Sequence, residues 1–218
     1  NDFTQIDPHW GTNAEFKAFV DCAHRLNMKV VLDIVVNHTG DVISYRDGSY
    51  GFHNSPNTTA YIPTWGANIK APAWLNDLAN YHNQGNVGDW SIINQYQNGD
   101  FFGLDDIKTE NTAVINGFAD VYSTWVNDFG VDGFRIDTAK HVDNKFFAKW
   151  WPQMLEMTAS SMTTKSQKLF AFGEYYDSNS ANLGSYVRKY GLPSALDFGF
   201  QPKALSFAAG GVAANLGE

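Results

Sequence analysis

Two carboxylates stand where apolar, strand-like runs end. Asp137 closes the run Gly133-Phe134-Arg135-Ile136-Asp137, and Glu174 follows Leu169-Phe170-Ala171-Phe172-Gly173. Arg135 lies two positions before Asp137, so on a strand both side chains point to one face, and the guanidinium would keep Asp137 ionised. An ionised carboxylate can attack an anomeric carbon while a second, protonated carboxyl delivers a proton to the leaving oxygen, which is what retaining glycoside hydrolysis requires. Asp137 is then the candidate nucleophile and Glu174 the candidate general acid. Retention needs the two groups about 5–5.5 Å apart. The acid must hold its proton, so an apolar setting is expected for Glu174, drawn from Phe170, Phe172, Tyr175 and Tyr176. Taken singly, these residues also allow a plain Arg–Asp ion pair and an exposed turn glutamate.

The elements that must position them follow from periodicity. Thr12-x-x-Glu15 reads as a capping box opening a helix that ends near Asn27. Cys22 sits among Phe16, Phe19, Val20, Ala23 and Leu26 at helical spacing, which predicts a buried thiol. Residues 29–36 read as a buried parallel strand that carries Asp33 and delivers Asn37-His38. The stretch 40–105 is rich in Gly, Asn, Asp, Tyr and Trp, lacks helical periodicity and is too long for a plain loop, so an inserted subdomain is expected. Helical spacing returns over 112–129, with Gly130 as the stop. A strand over 131–136, a helix over 143–162 interrupted or kinked at Pro152, a strand over 168–173, a helix over 180–190 and a fourth strand near 195–200 complete the pass. Strands alternating with helices, with active groups at the strand C-termini, fit a (β/α)8 barrel. A doubly wound sheet alternates in the same way, but no Gly-x-Gly-x-x-Gly follows a strand.

Three segments, in this order and spacing, resemble the signature segments of the α-amylase family of glycoside hydrolases: Asp33-Ile34-Val35-Val36-Asn37-His38, Gly133 through His141, and Gly173-Glu174. A shorter one, Gly103-Leu104-Asp105-Asp106-Ile107, resembles the stretch at the end of that family's inserted domain. The resemblance implies a TIM barrel present in part, about its third to sixth strands, with residues 1–39 and 106–218 as barrel and 40–105 as insertion. A complete barrel takes about 250 residues before large insertions, so the remaining strands and the family's third catalytic acid are expected outside this chain, and the isolated chain is expected to be inactive or nearly so. By resemblance His38, Arg135, Lys140 and His141 would contact sugar, with Lys140 and His141 on the leaving-group side, and Asp33 would orient the arginine. Also by resemblance, a calcium ion would be held by the Asn37 side-chain oxygen, the Asp106 carboxylate and the His141 main-chain carbonyl, all hard oxygen donors; Asp105 competes with Asp106 for that register. The implied substrates are starch, maltooligosaccharides or cyclodextrins with α-1,4 bonds, and transglycosylation is the alternative outcome.

Composition narrows the remaining classes. The 218 residues carry a formal net charge of −8, which argues against a nucleic-acid partner. No apolar run reaches the roughly 18 residues of a membrane span. Aromatic residues make up 15% of the chain, enough to fill a core and still stack on sugar faces. No Gly-x-Ser-x-Gly elbow supports an α/β hydrolase. A non-catalytic carbohydrate-binding or vestigial relative remains a second reading, against which Asp137, Arg135 and Glu174 all stand. The acidic chain with one cysteine suits an extracellular or periplasmic protein by family habit.

Overall fold

The computed structural model describes residues 1–164 and 167–211; positions 165–166 and 212–218, the latter at the end of the expected barrel stretch 106–218, lie outside the described residues. In chain order the elements are α1 (Asn13–Arg25), β1 (Val31–Ile34), β2 (Ser44–Tyr45), β3 (Ala60–Tyr61), α2 (Ile93–Asn98), α3 (Thr112–Asn127), β4 (Gly133–Ile136), α4 (Asn144–Thr164), β5 (Phe170–Gly173), α5 (Ser180–Arg188) and α6 (Phe200–Ala208). β1, β4 and β5 form a parallel sheet in that order, and α3 and α4 are the crossovers between its strands. In register, Asp33 pairs with Arg135 and Arg135 with Phe172. Gly133 allows the close approach of β4 to β5, since a Cβ there would lie 2.4 Å from the Phe170 carbonyl oxygen.

One face of β4 builds the core. Phe134 and Ile136 are fully buried, with the Phe134 ring 5.7 Å from Tyr122 of α3 and 6.4 Å from Trp150 of α4. The opposite face carries Arg135, whose register neighbours are Asp33 and Phe172. The pleat therefore places the apolar payload under the helices and the charged row on the other side.

Four expectations need correction. β1 is buried on one face only: Ile34 is buried, but Val31 is 43% exposed and Asp33 is exposed, because β1 is an edge of the sheet among the described residues. Cys22 is exposed, because α1 packs through Phe16, Val20 and Ala23, leaving Phe19, Cys22 and Leu26 on another face. Of the two alternatives at Pro152, interruption does not occur and α4 runs on to Thr164: one lost N–H bond is outweighed by the complete burial of Phe146, Phe147, Trp150 and Met154 along the helix. The fourth strand over 195–200 does not form. Gly173 pairs with Ala195 in a single bridge, and Asp197 then accepts the Phe200 N–H at 2.8 Å at the start of α6.

The stretch 40–105 leaves and re-enters the sheet layer through a narrow neck. There Ile107 N–H donates to the Asn37 carbonyl at 2.8 Å and Thr39 N–H to the Asp105 carbonyl at 3.0 Å. A buried ion pair pins this neck. Lys70 Nζ is 2.5 Å from Asp105 Oδ2, both side chains are 1% exposed, and the Asp105 carboxylate also accepts the Val42 and Ile43 N–H groups at 3.0 Å. Burial pushes the Lys70 ammonium down and the Asp105 carboxyl up, each against the attraction of the other. Lys70→Met, which leaves Asp105 buried and unpaired, is expected to cost about 3–5 kcal/mol in thermal unfolding of the intact protein, and adding Asp105→Asn, which removes the charge but keeps an oxygen for the Val42 and Ile43 N–H groups, should recover part of that loss.

Candidate active site

The parallel ladder runs one step past the strands and delivers both acids. Asp137 N–H donates to the Ile34 carbonyl and Glu174 N–H to the Ile136 carbonyl, each at 2.8 Å. Between the acids lies one guanidinium. Arg135 Nη1 contacts Asp137 Oδ1 at 2.6 Å and Asp33 Oδ1 at 2.8 Å, and Nη2 contacts Glu174 Oε2 at 2.8 Å. Desolvation works against the charge on Arg135, but the hydrogen bonds to Asp33 and Asp137 outweigh it and hold the guanidinium above its ordinary value. One planar group bridging both acids keeps them close, compatible with the separation of about 5–5.5 Å that retention uses.

Thr138 adds a second tie. Its φ is +46°, a left-handed conformation that costs a β-branched residue about 1–3 kcal/mol. This turn directs the Thr138 N–H at Glu174 Oε2, 3.4 Å away. Glu174 Oε2 and Asp137 Oδ1 are therefore occupied, while Glu174 Oε1 and Asp137 Oδ2 have no protein partner among the described residues. The expected aromatic envelope around Glu174 is only partly there. Tyr176 lines the same cavity, but Tyr175 turns inward at 3% exposure and Phe170 is 53% exposed, so a guanidinium rather than an apolar shell is the nearest neighbour.

A cavity of about 450 Å³ opens beside Glu174, lined by Trp90, Phe102, Lys140, His141 and Tyr176 among others. His141 Nδ1 is 2.9 Å from the Tyr96 carbonyl, which can only accept, so Nδ1 carries the proton. Burial pushes the His141 pKa down, leaving Nε2 of the neutral ring as an acceptor. His38 stacks on Phe101 with centroids 5.6 Å apart, and burial pushes its pKa down against the opposing charge of Asp137. Lys140 is not a free surface charge: Nζ donates to the Tyr176 carbonyl at 3.2 Å and lies 3.4 Å from Asp177, clamping the loop after Glu174. A second cavity, about 400 Å³, follows the open flank of β1 and touches the site through Asp33 and His38.

Asn37 and Asp106 meet where the chain leaves the end of β1 and returns ahead of α3. Asn37 Nδ2 donates to Asp106 Oδ1 at 3.3 Å, and Asn37 Oδ1 is buried without a hydrogen-bond partner. Asp106 Oδ2 is 2.5 Å from His82 Nδ1, and His82 Nε2 is 3.1 Å from Glu110. Burial pushes the Asp106 carboxyl up to about 7, despite His82. Burial alone would lower His82, but the hydrogen bond and charge of Asp106, joined by Glu110, push it up to about 9. Asp105 is committed to Lys70, so Asp106 is the carboxylate that faces Asn37.

A family model described as the α-amylase catalytic domain matches residues 1–216. The chain belongs to the α-amylase family. It is 37% identical to an α-amylase of Streptomyces lividans over 98% of this chain and 26% of that protein. It is 30% identical to a cyclomaltodextrin glucanotransferase of Klebsiella oxytoca over 92% of this chain and 30% of that protein. Among solved structures, an Anoxybacillus α-amylase superimposes with a TM-score of 0.69 at 29% identity over 93% of this chain and 37% of the other. The Geobacillus thermoleovorans α-amylase, complexed with acarbose, gives a TM-score of 0.64 at 27% identity over 93% of this chain and 38% of the other. The chain thus spans about a quarter to two-fifths of these relatives, and its parallel sheet with helices is part of a (β/α)8 barrel.

Within this family frame, sequence reasoning missed His82, Glu110, Trp90, Phe101, Phe102 and the Tyr96-Gln97 step. The adjacent Phe101-Phe102 in a Gly-, Asn- and Asp-rich stretch was the one available signal. The rest depend on contacts far apart in sequence. The guanidinium contacts generate one expectation. Arg135→Met leaves Asp33, Asp137 and Glu174 facing one another uncompensated, and should cost about 1–3 kcal/mol in denaturant unfolding at pH 7.

Proposed function

We propose that the protein is a retaining glycoside hydrolase acting on α-1,4-linked glucans such as starch or maltooligosaccharides. The observation that carries this reading is the single Arg135 guanidinium shared by Asp137 and Glu174 at two strand ends. The α-amylase relatives and the acarbose complex of a structural neighbour support the substrate class. Asp137 Oδ2 attacks the anomeric carbon. The glycosidic C–O bond breaks, and its electron pair leaves on the oxygen, which takes the proton from Glu174 Oε1. Glu174, now a carboxylate, takes a proton from water, whose oxygen displaces Asp137 with a second inversion. The cleft cavity gives the leaving sugar aromatic faces from Trp90, Phe102 and Tyr176 and a hydrogen-bond acceptor at His141 Nε2. The same cavity supports transfer as a second reading, in which a sugar hydroxyl seated there replaces water; the cyclomaltodextrin glucanotransferase relative is consistent with it. A polymeric substrate that cannot cross a membrane suits a protein outside the cytoplasm.

The calcium site belongs to this proposal. The unpartnered Asn37 Oδ1 beside the Asp106 carboxylate fits a hard cation, and by family resemblance the His141 main-chain carbonyl would be a third of the roughly six to eight oxygens that calcium takes. A cation there would supply positive charge to a buried carboxylate and order the strand end that presents His38. His82 belongs to the ring of groups holding Asp106 in place.

Asp137→Asn in the intact protein should lower maltooligosaccharide turnover by at least about 10³-fold. Proton NMR of the first wild-type product should show the α anomer, and a β anomer would rule out retention. Chelation should lower the melting temperature, by the equivalent of about 2.7 kcal/mol when free calcium had stood at 100 times its dissociation constant. Asn37→Leu should abolish that response; an unchanged response would remove Asn37 from the site.

A further inference from the structure

Tyr96 and Gln97, consecutive buried residues of α2, grip two different parts of the catalytic face. The Tyr96 carbonyl fixes the His141 ring at 2.9 Å. The Gln97 side-chain amide donates to the Tyr186 hydroxyl of α5 at 2.6 Å and lies 3.4 Å from the Val142 carbonyl. The Tyr186 ring, 4% exposed, packs on Tyr175 with centroids 4.3 Å apart, and Tyr175 is 3% exposed. Tyr175 directly follows Glu174. The Tyr175 ring is buried while its neighbour Glu174 lines the cleft cavity, so clamping the Tyr175 ring fixes the backbone from which the Glu174 carboxyl reaches the cleft. Lys140 closes the loop from the other side, lying 5.6 Å from the Tyr96 ring and 5.9 Å from the Tyr175 ring.

A buried amide is an expensive way to fill space. Leucine would occupy the same volume without needing partners, whereas glutamine is tolerated only when its donors are satisfied. What the amide adds is direction: it places the Tyr186 hydroxyl, and through the stacked rings the strand end that bears the acid.

We propose that Gln97 and Tyr186 are positioning residues for the general acid, so that the inserted stretch 40–105 takes part in bond cleavage as well as in shaping the cleft. This rests on the acid role assigned above to Glu174.

The test compares two substrates with the same glycosyl part in the intact protein. A maltooligosaccharide has a sugar leaving group that needs the proton from Glu174, whereas α-maltosyl fluoride releases fluoride with little acid assistance. Gln97→Leu and Tyr186→Phe should each lower kcat/KM on the oligosaccharide by about tenfold or more, with the fluoride value within about threefold of wild type. The double variant should be no worse than the weaker single one, because both act through one contact. Tyr186→Phe removes a single oxygen and decides the matter if Gln97→Leu fails to fold. Glu174→Gln is the control. If it damages both substrates alike, the acid assignment fails and the positioning proposal with it. If it spares the fluoride while Gln97→Leu and Tyr186→Phe lower both substrates equally, or neither, the acid assignment stands and the positioning role is refuted.

Discussion

Three carboxylates share the Arg135 guanidinium, and the site depends on that sharing. Like charges sharing a site repel one another, and the guanidinium between Asp33, Asp137 and Glu174 offsets that repulsion. Arginine suits the task because its planar fork presents several donors in fixed directions. Lysine would offer a point charge and could not separate the Asp137 contact from the Glu174 contact by geometry. The fork also selects oxygens. By occupying Asp137 Oδ1 and Glu174 Oε2, it leaves the other oxygen of each acid without a protein partner among the described residues.

The rest of the structure holds that fork in register. Strand pairing sets Arg135 level with Asp33 and puts both acids one residue beyond the ladder. The buried layer of Phe134, Ile136, Tyr122 and Trp150 keeps β4 from slipping, since a one-residue shift would turn Arg135 into the core. Thr138 holds a strained turn in the same place, as backbone outliers do where surroundings over-determine them. At the neck, Lys70 with Asp105 fixes the insertion, and Asn37 with Asp106 joins it to the strand end that presents His38.

The parts that follow from local pattern were legible in the sequence. The Thr12–Glu15 capping box, the helix over 112–129 and the strand runs carrying Asp33, Arg135 and Phe172 all have short-range signatures. The errors arose where a local pattern had no partner to act on. Val31 and Cys22 look like core residues, but among the described residues no strand pairs with the outer flank of β1, and α1 packs through a different stripe. Residues 195–200 have strand-like composition, yet a single bridge is all that forms before Asp197 starts a helix. Within the site, the acids and the arginine were readable because one strand carries Arg135 with Asp137. Gln97 with Tyr186 and His82 with Asp106 were not, because each pair brings together residues from separate elements with no shared periodicity.

The central claim is that Asp137 forms a covalent bond to sugar while Arg135 and Glu174 serve it. The most direct measurement is trapping of that bond. The intact protein would be incubated with a fluorinated α-glucosyl fluoride, in which ring fluorine slows release of the intermediate more than its formation. Peptide mass mapping would follow. The account predicts one added glycosyl mass on the peptide carrying Asp137, lost in Asp137→Asn. A label on Glu174 or Asp33, or complete turnover with an inverted product and no label, would contradict it.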